Sequence, residues 1–366
     1  MNRIRVLVVD DAVVVRRMVS DALGAEPLIE VVGTASNGRL ALERITQLQP
    51  DLVTLDIDMP EMDGLETLAA IRKSWPRLPV IMFSTLTERG ALTTLDALAL
   101  GASDYVTKPS HTGSIAAAQQ RVREQLTPKV LALCSSRWGP VPAVAAAPRI
   151  APPRFETSGV AGGRVDVVTI GVSTGGPNAL ATILSELPVD FPVPIVIVQH
   201  MPPLFTRFLA DRLTAASRIN VREAEAGGVL TPGAVWIAPG NFHMTLYRVN
   251  NQVRMALNQD PPEHSCRPAA DVLFRSVAEV YGARSLAVVL TGMGQDGTLG
   301  CERIREAGGQ VIAQDEATSV VWGMPGYVVG AGLASAVVPL DRVASEMCRR
   351  VSTDRLPGFS AIARAS

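Results

Sequence analysis

Eight polar residues stand where strand-like runs of this chain give way to loops, and their types point to two separate chemistries. In the first third, Asp10 and Asp11 follow the run IRVLVV, Asp56 closes LVTLD, Ser84 closes PVIMFS and Lys108 follows DYVT. Ligand sites of open parallel sheets lie beyond the carboxyl ends of the strands, so the three carboxylates would crowd together and repel unless a hard divalent cation neutralised them. Magnesium suits such an oxygen-rich set. The Ser84 hydroxyl and the Lys108 ammonium would then meet the oxygens of a phosphoryl group carried on the central acid, Asp56. Taken singly, Asp10 and Asp11 are also ordinary helix N-caps; the five positions together ask for phosphoryl chemistry.

The second set begins at Gly171-Val-Ser173-Thr-Gly175, which closes the run VDVVTIG and opens a helical stretch. A serine on such a turn resembles a nucleophile elbow, although a serine there can equally cap the helix. A base is required, and the chain has four histidines. His200 ends the next strand-like run, PIVIVQH, which puts it at the same sheet edge as Ser173; His111, His243 and His264 fall in loop-like segments that suit surface or structural roles. Asp296, after SLAVVLTG, supplies a carboxylate at that edge to fix the imidazole tautomer. The chain order Ser, His, Asp differs from that of α/β-hydrolases, chymotrypsin and subtilisin, so another scaffold is implied. The same loop, Gly292-Met-Gly294-Gln-Asp-Gly297, also spells a dinucleotide fingerprint, with Asp315 following at a suitable distance. Against that reading, Asp296 would set a carboxylate beside the pyrophosphate, and little chain remains to complete the sheet.

These residues need scaffolds to hold them. From residue 4, β-branched runs alternate with amphipathic stretches: IRVLVVD, a helix from about Val14, IEVVGTA, a helix from Gly38, LVTLDI, a helix from Leu65, PVIMFST, a helix near Ala91, DYVTK and a helix after Gly113. That alternation predicts a parallel sheet wrapped by helices, ending near Cys134. Between Ser135 and Arg164 the composition turns to Pro, Ala and Gly without periodicity, which predicts a linker over 135–164. Strand-like runs resume at VDVVTIG, PIVIVQH, AVWIAPG, SLAVVLTG, GGQVIAQD and ASAVVPL, with helices at NALATILSEL, LFTRFLADRL, AADVLFRSVAEV and GCERIREA, and a hairpin at HMTLYRVNNQVRMAL. The fold class is therefore α/β with two open parallel sheets, one in residues 1–134 and one in 165–352.

Bulk properties narrow the partners. A length of 366 residues with 47% hydrophobic composition supports two cores. A formal net charge of −1 gives no reason to expect nucleic acid or an anionic membrane as the main partner. Cys134, Cys266, Cys301 and Cys348 are scattered with no C-x-x-C, which suits reduced thiols in a cytoplasmic protein. The start has no secretory pattern, and no stretch approaches a membrane span.

The segments VVDD, DIDMPEMDGLE, FST and YVTKP resemble the receiver domains of two-component response regulators, which are flavodoxin-like. That resemblance implies Asp56 as phosphoacceptor, Asp10, Asp11 and the Asp58 carbonyl as Mg2+ ligands with Asp56, Ser84 and Lys108 as phosphate contacts, and Tyr105 as the aromatic switch. It also implies that the Lys108–Pro109 peptide is commonly cis, while Ala12 stands where relatives often carry serine. IGVSTGGP, VIVQHMPP, APGNFHMTL, HSCRPAADVLFRSVA, LTGMGQDG and WGMPG, in that order over residues 165–345, resemble the Rossmann-like catalytic domain of the CheB methylesterases of chemotaxis. By that resemblance Ser173, His200 and Asp296 form the triad, the Met293 amide supplies the oxyanion hole, and Thr174 is a second contributor. The Tyr-Val-Val run after GMPG is bulkier than expected in such a domain. The implied activity is hydrolysis of glutamyl methyl esters, and deamidation of glutamines, on methyl-accepting chemotaxis receptors. A chemotaxis histidine kinase would be the phosphodonor, and the unphosphorylated receiver would cover the esterase. No cofactor is expected for the hydrolysis. A non-enzymatic regulator that keeps the triad as a relic is the competing reading.

Overall fold

The computed structural model describes residues 3–109, 114–138 and 163–352, and the chain divides into two compact units, Met1–Ala145 and Ala146–Ser366. The first runs β1 (Ile4–Val9), α1 (Val13–Gly24), β2 (Ile29–Ala35), α2 (Gly38–Leu48), β3 (Leu52–Asp56), α3 (Gly64–Ser74), β4 (Val80–Ser84), α4 (Glu88–Ala99), β5 (Asp104–Thr107) and α5 (Ile115–Trp138). Its strands form one parallel sheet in the order β2-β1-β3-β4-β5. Because helices cover both faces, β3 and β4 are buried throughout, as parallel strands are. Helix starts are fixed locally. Asn37 Oδ1 accepts from Leu40 N at 2.9 Å, Thr87 Oγ1 accepts from Gly90 N at 3.0 Å, and Asp63 with Glu66 forms a reciprocal capping box.

The second unit runs β6 (Val167–Val172), α6 (Gly176–Glu186), β7 (Ile195–Gln199), α7 (Phe205–Ala216), β8 (Asn220–Glu223), β9 (Ala234–Ile237), β10 (His243–Val249), β11 (Gln252–Asn258), α8 (Ala270–Tyr281), β12 (Ser285–Val289), α9 (Thr298–Glu306), β13 (Gln310–Gln314), α10 (Met324–Gly330), β14 (Ala336–Val338) and α11 (Leu340–Ser352). Seven strands make a parallel sheet, β14-β13-β12-β6-β7-β9-β8, whose order reverses between β12 and β6. Both units are thus the doubly wound α/β domains expected. The hairpin is present as β10 and β11, joined at Asn250 and Asn251, both with left-handed φ (46° and 64°), the backbone a two-residue hairpin turn requires.

Several expectations need adjustment. Helix α5 continues to Trp138, so residues 135–138 are helical, and residues 139–162 of the expected linker lie outside the described residues. Strand β8 was not anticipated. Among the described residues the cis peptide is Arg267–Pro268, not Lys108–Pro109. His111 lies outside the described residues. The bulky Tyr327 is accommodated by being exposed on α10, while the neighbouring Val328 is buried. Among the described residues no helix is long and apolar enough to cross a membrane.

Phe274 of α8 is fully buried and locks the second unit at the edge that carries the loops. A Cβ on Gly171 would come within 3.1 Å of its ring, one on Gly297 within 3.5 Å, and one on Gly300 would collide with its Cβ. The absent side chains make room for the ring. Replacing Phe274 with Ala should remove about 3–5 kcal/mol of stability, because the glycine walls have no side chains with which to fill the cavity. Urea unfolding followed by tryptophan fluorescence measures this, and a loss below about 1 kcal/mol would show that the ring is not a keystone.

Candidate functional sites

The receiver site gathers at the carboxyl ends of β1, β3 and β5. Asp10 and Asp56 are buried, Asp11 is exposed, and ligand oxygens of all three lie within 4.8 Å of one another. Lys108 Nζ sits 2.7 Å from Asp56 Oδ1 and 2.9 Å from Asp10 Oδ2. It balances one of the clustered charges and not all of them. Ala12 N and Ile57 N take up Asp10 Oδ1 and Asp56 Oδ1, at 2.9 and 2.8 Å. Among the described residues Asp56 Oδ2 is buried with no hydrogen-bond partner, and Asp10 Oδ2 faces the lysine without an aligned hydrogen bond. The Arg16 guanidinium pins the loop by donating to the Asp10 and Asp11 carbonyls at 2.6 and 2.8 Å. Open hard oxygens beside uncompensated charge fit a Mg2+ ion held by Asp10, Asp11 and Asp56. Asp58 has an exposed side chain 3.9 Å from Arg89, and its carbonyl accepts no hydrogen bond among the described residues.

Burial, together with Asp10, raises Asp56 to about 6 against the lowering pull of Lys108. Burial works against the Lys108 charge, but Asp56 and Asp10 outweigh it and its pKa is raised. Two of the expected residues are turned elsewhere. Ser84 Oγ donates to Gly90 O at 3.1 Å and accepts from Thr94 Oγ1 at 2.7 Å, so it is tied to α4 rather than to Asp56. The Tyr105 ring is buried beside Lys129, whose Nζ lies 5.3 Å from its centroid; burial raises the phenol well above its ordinary pKa.

In the second unit, Ser173 follows β6, His200 follows β7 and Asp296 lies in the loop after β12, so the three meet at one sheet edge across the order reversal. His200 Nε2 is 2.7 Å from Asp296 Oδ2. The carboxylate also accepts from the amides of Ala270 (2.7 Å), Asp271 (2.9 Å) and Gly297 (2.8 Å). His200 and these amides outweigh burial and lower the Asp296 pKa. Asp296 takes Nε2 and leaves Nδ1 free of the carboxylate, the reverse of the nitrogen arrangement in the usual triad. Burial disfavours the charged imidazole, yet the Cys266 sulfur and the Asp296 carboxylate outweigh it and raise His200 to about 10. Ser173 Oγ has no hydrogen bond among the described residues, so the expected contact between Ser173 and His200 is open, a separation that does not exclude a catalytic pair.

A Cβ on Gly292 would come within 2.9 Å of Ser173 Cβ, so only glycine lets the loop carrying Met293 lie against the nucleophile. The Met293 amide donates to no group among the described residues, whereas Gly292 N bonds Val321 O at 3.0 Å. An unspent amide beside a serine is what an oxyanion hole needs. Thr174 is buried, with its carbonyl accepting from Thr291 Oγ1 at 2.9 Å. The dinucleotide reading fails on the same loop: the start of α9 is already served by carboxylates, with Gly297 N on Asp296 and Gly300 N on Asp271 at 2.6 Å.

Sequence reasoning missed five neighbours. His264 Nε2 lies 2.8 Å from Asp271 Oδ2, and Asp271, fully buried beside Asp296, has its pKa raised chiefly by burial. Cys266 stands beside His200. Gln199 and Thr291 are buried polar residues in runs that read as apolar strand ends, which is the one signal that could have marked them. His243 is structural, as expected: Nδ1 accepts from Ala269 N and Nε2 bonds Pro261 O. The His264, Asp271 and Asp296 ligand atoms are close enough to hold a metal, but amides and the histidine already occupy those carboxylates.

The raised Asp56 predicts competition between protons and Mg2+. Only the ionised carboxylate binds the ion, so Mg2+ affinity should fall as pH drops through about 6 and level off above it. Calorimetric titration from about pH 5 to pH 8 checks this, with Asp56→Asn expected to flatten the profile. An unchanged affinity across that range in the native protein would show that Asp56 is not a ligand.

Residues 168–347 match the family described as CheB methylesterase, and residues 6–120 match the response regulator receiver domain. The protein-glutamate methylesterase/protein-glutamine glutaminase of Trichodesmium erythraeum is 52% identical over 96% of this chain and 100% of its own length. The protein of the same name from Nocardioides sp. is 53% identical over 97% of each. The crystal structure of the Thermotoga maritima CheB methylesterase catalytic domain, 45% identical, covers 50% of this chain and 98% of that one with a TM-score of 0.50. A receiver joined to an esterase fold, matched across almost its whole length, places this chain in the family of CheB methylesterases that carry a response-regulator receiver domain.

Proposed function

We propose that the chain is a protein-glutamate methylesterase and protein-glutamine glutaminase that acts on methyl-accepting chemotaxis receptors, with Ser173 as nucleophile. The observation that carries the mechanism is the 2.7 Å pairing of His200 Nε2 with Asp296, which leaves Nδ1 as the ring nitrogen not engaged by the carboxylate. His200 Nδ1 takes the Ser173 proton as Oγ attacks the γ-carbonyl of a glutamyl methyl ester. The Met293 amide, with Thr174 as a second contributor, stabilises the oxyanion. The protonated imidazole then hands its proton to the departing methanol. Water, activated by the same nitrogen, releases the glutamate and restores Ser173. For a glutamine the leaving group is ammonia, and the rest of the path is unchanged.

In the receiver, Asp56 accepts the phosphoryl group from a chemotaxis histidine kinase. Mg2+ held by Asp10, Asp11, Asp56 and the Asp58 carbonyl would neutralise charge on the acid and the transferred group. Lys108 meets one phosphoryl oxygen, and Ser84 meets another once it leaves Gly90. Tyr105 serves as the switch. We assign the linker to the Pro/Ala/Gly-rich stretch ending near Arg164, the catalytic domain to residues 165–352, and the location to the cytoplasm.

Ser173→Ala should lower demethylation of receptor fragments by about a thousandfold or more, with Asp296→Ala milder because that residue orients rather than reacts. Mass spectrometry of the fragments reads this directly, and near-normal turnover by Ser173→Ala would remove the mechanism. The base must be neutral, and His200 is raised to about 10, so kcat/KM should climb through the alkaline range instead of levelling near the ordinary histidine value. Cys266→Ala should move that climb to lower pH, after correction for spontaneous hydrolysis with Ser173→Ala. Asp56→Asn should block labelling by acetyl phosphate with Mg2+ and abolish the rise in rate that it causes, leaving basal turnover. A fragment lacking residues 1–150 should be faster than the unphosphorylated chain and indifferent to acetyl phosphate. A folded fragment slower than the intact chain would mean that the receiver assists the esterase.

A further inference from the structure

Two buried polar residues outside the triad bond the backbone of the nucleophile turn, Gln199 through its side chain at Ser173 and Thr291 through its carbonyl at Ser173 and its hydroxyl at Thr174. Thr291 is 1% exposed and ends the strand run ahead of the Gly292-Met293 loop. Its carbonyl accepts from Ser173 N at 3.0 Å, and its hydroxyl donates to Thr174 O at 2.9 Å and accepts from Val321 N at 3.0 Å. Its own amide donates to Gln314 Oε1 at 2.8 Å, which anchors it to the end of β13. Gln199 is 2% exposed and directly precedes the base. Its Nε2 donates to Ser173 O at 3.0 Å and reaches His200 O at 3.4 Å.

Both polar groups of the Ser173 peptide backbone are therefore held from outside its own turn, one from the oxyanion loop and one from the strand that carries the base. These bonds lie beyond the regular ladders, which end at Val172 and Gln199 between β6 and β7 and at Gly171 and Val289 between β6 and β12, and Ser173 O also accepts from Gly176 N at 2.8 Å. A buried amide or hydroxyl is costly unless it is partnered, and Gln199 Oε1 has no hydrogen-bond partner among the described residues. That cost is kept in a position where an apolar side chain would fill the space.

We propose that Thr291 and Gln199 are positioning residues that fix Ser173 relative to the Met293 amide and to His200. Thr291 joins the nucleophile turn to the loop that supplies the oxyanion donor, and Gln199 joins the carbonyls of nucleophile and base through one amide. The inference rests on the esterase reading and adds to it the elements that set the attack distance. Displacement of reacting groups by about 1 Å costs about a hundredfold in rate, so these bonds act on kcat more than on binding.

The test uses the full-length protein with a receptor fragment bearing a glutamyl methyl ester. Thr291→Val keeps the shape and removes the hydroxyl; it should lower kcat by about tenfold to a hundredfold with KM within about twofold, while Thr291→Ser should restore most of the rate. Gln199→Met should have the same signature, and it carries the test alone if Thr291→Val does not fold. Labelling of Ser173 by a fluorophosphonate should slow in parallel. An unchanged kcat in Thr291→Val or Gln199→Met, a change confined to KM, or a Thr291→Ser variant as slow as Thr291→Val would overturn the proposal. Ser173→Ala is measured alongside: if it retains turnover the esterase reading itself falls, whereas an inactive Ser173→Ala beside a fully active Thr291→Val removes this inference alone.

Discussion

A carboxylate buried at the reversal point of the seven-stranded sheet must be paid for in hydrogen bonds, and the catalytic edge is organised around meeting that demand. Asp296 is 1% exposed and accepts from three backbone amides and one imidazole. Two of the amides open α8 and the third precedes α9, so the acid fastens two helix starts to the end of β12 while it orients His200. An unpaired charge in that place would cost several kcal/mol. The helices, the loop and the base are therefore held by one group, and the position of each depends on the others.

The receiver acid has the opposite arrangement. Asp296 is saturated with donors and its pKa falls, which suits a group that must stay ionised and still. Asp56 is also buried, but one oxygen has no hydrogen bond and its pKa is raised to about 6. An acceptor of a phosphoryl group needs an accessible lone pair and a neighbouring cation to make its charge tolerable. Lys108 supplies part of that charge at 2.7 Å. The same strand-end geometry thus yields a carboxyl of lowered or of raised pKa, according to how many donors the surrounding loops direct at it.

The sequence makes the scaffold legible where packing dictates residue type. The runs that become β1, β3, β4, β6, β7 and β12 are rich in Val, Ile and Leu because both faces are covered, and strand-end polar residues then fall at one edge by topology alone. Strand β8 escaped because Asn220-Val-Arg-Glu is a polar edge strand with one apolar residue, Val221, facing inward. His264 and Cys266 were not anticipated at the site because the turn at His264 and Ser265, with φ of 51° and 60°, follows from no periodicity. Which imidazole nitrogen faces Asp296 is likewise a matter of side-chain orientation, which residue type and spacing do not encode. Gln199 and Thr291 carried a faint signal, a polar residue where the pattern called for an apolar one.

The packing of Phe274 against Gly171, Gly297 and Gly300 bears on how this edge of the molecule tolerates change over evolutionary time. One of those glycines, Gly297, closes the Gly292-x-Gly294-x-x-Gly297 run that imitates a nucleotide-binding signature, although it stands against a benzyl group. A methyl group added at Gly300 would collide with the Phe274 Cβ and press on the Asp271 Cα, contacts that a smaller ring would leave in place. The constraint therefore runs one way: shortening residue 274 frees neither Gly171, which also faces the Ala270 Cβ, nor Gly300, which also faces the Asp271 Cα.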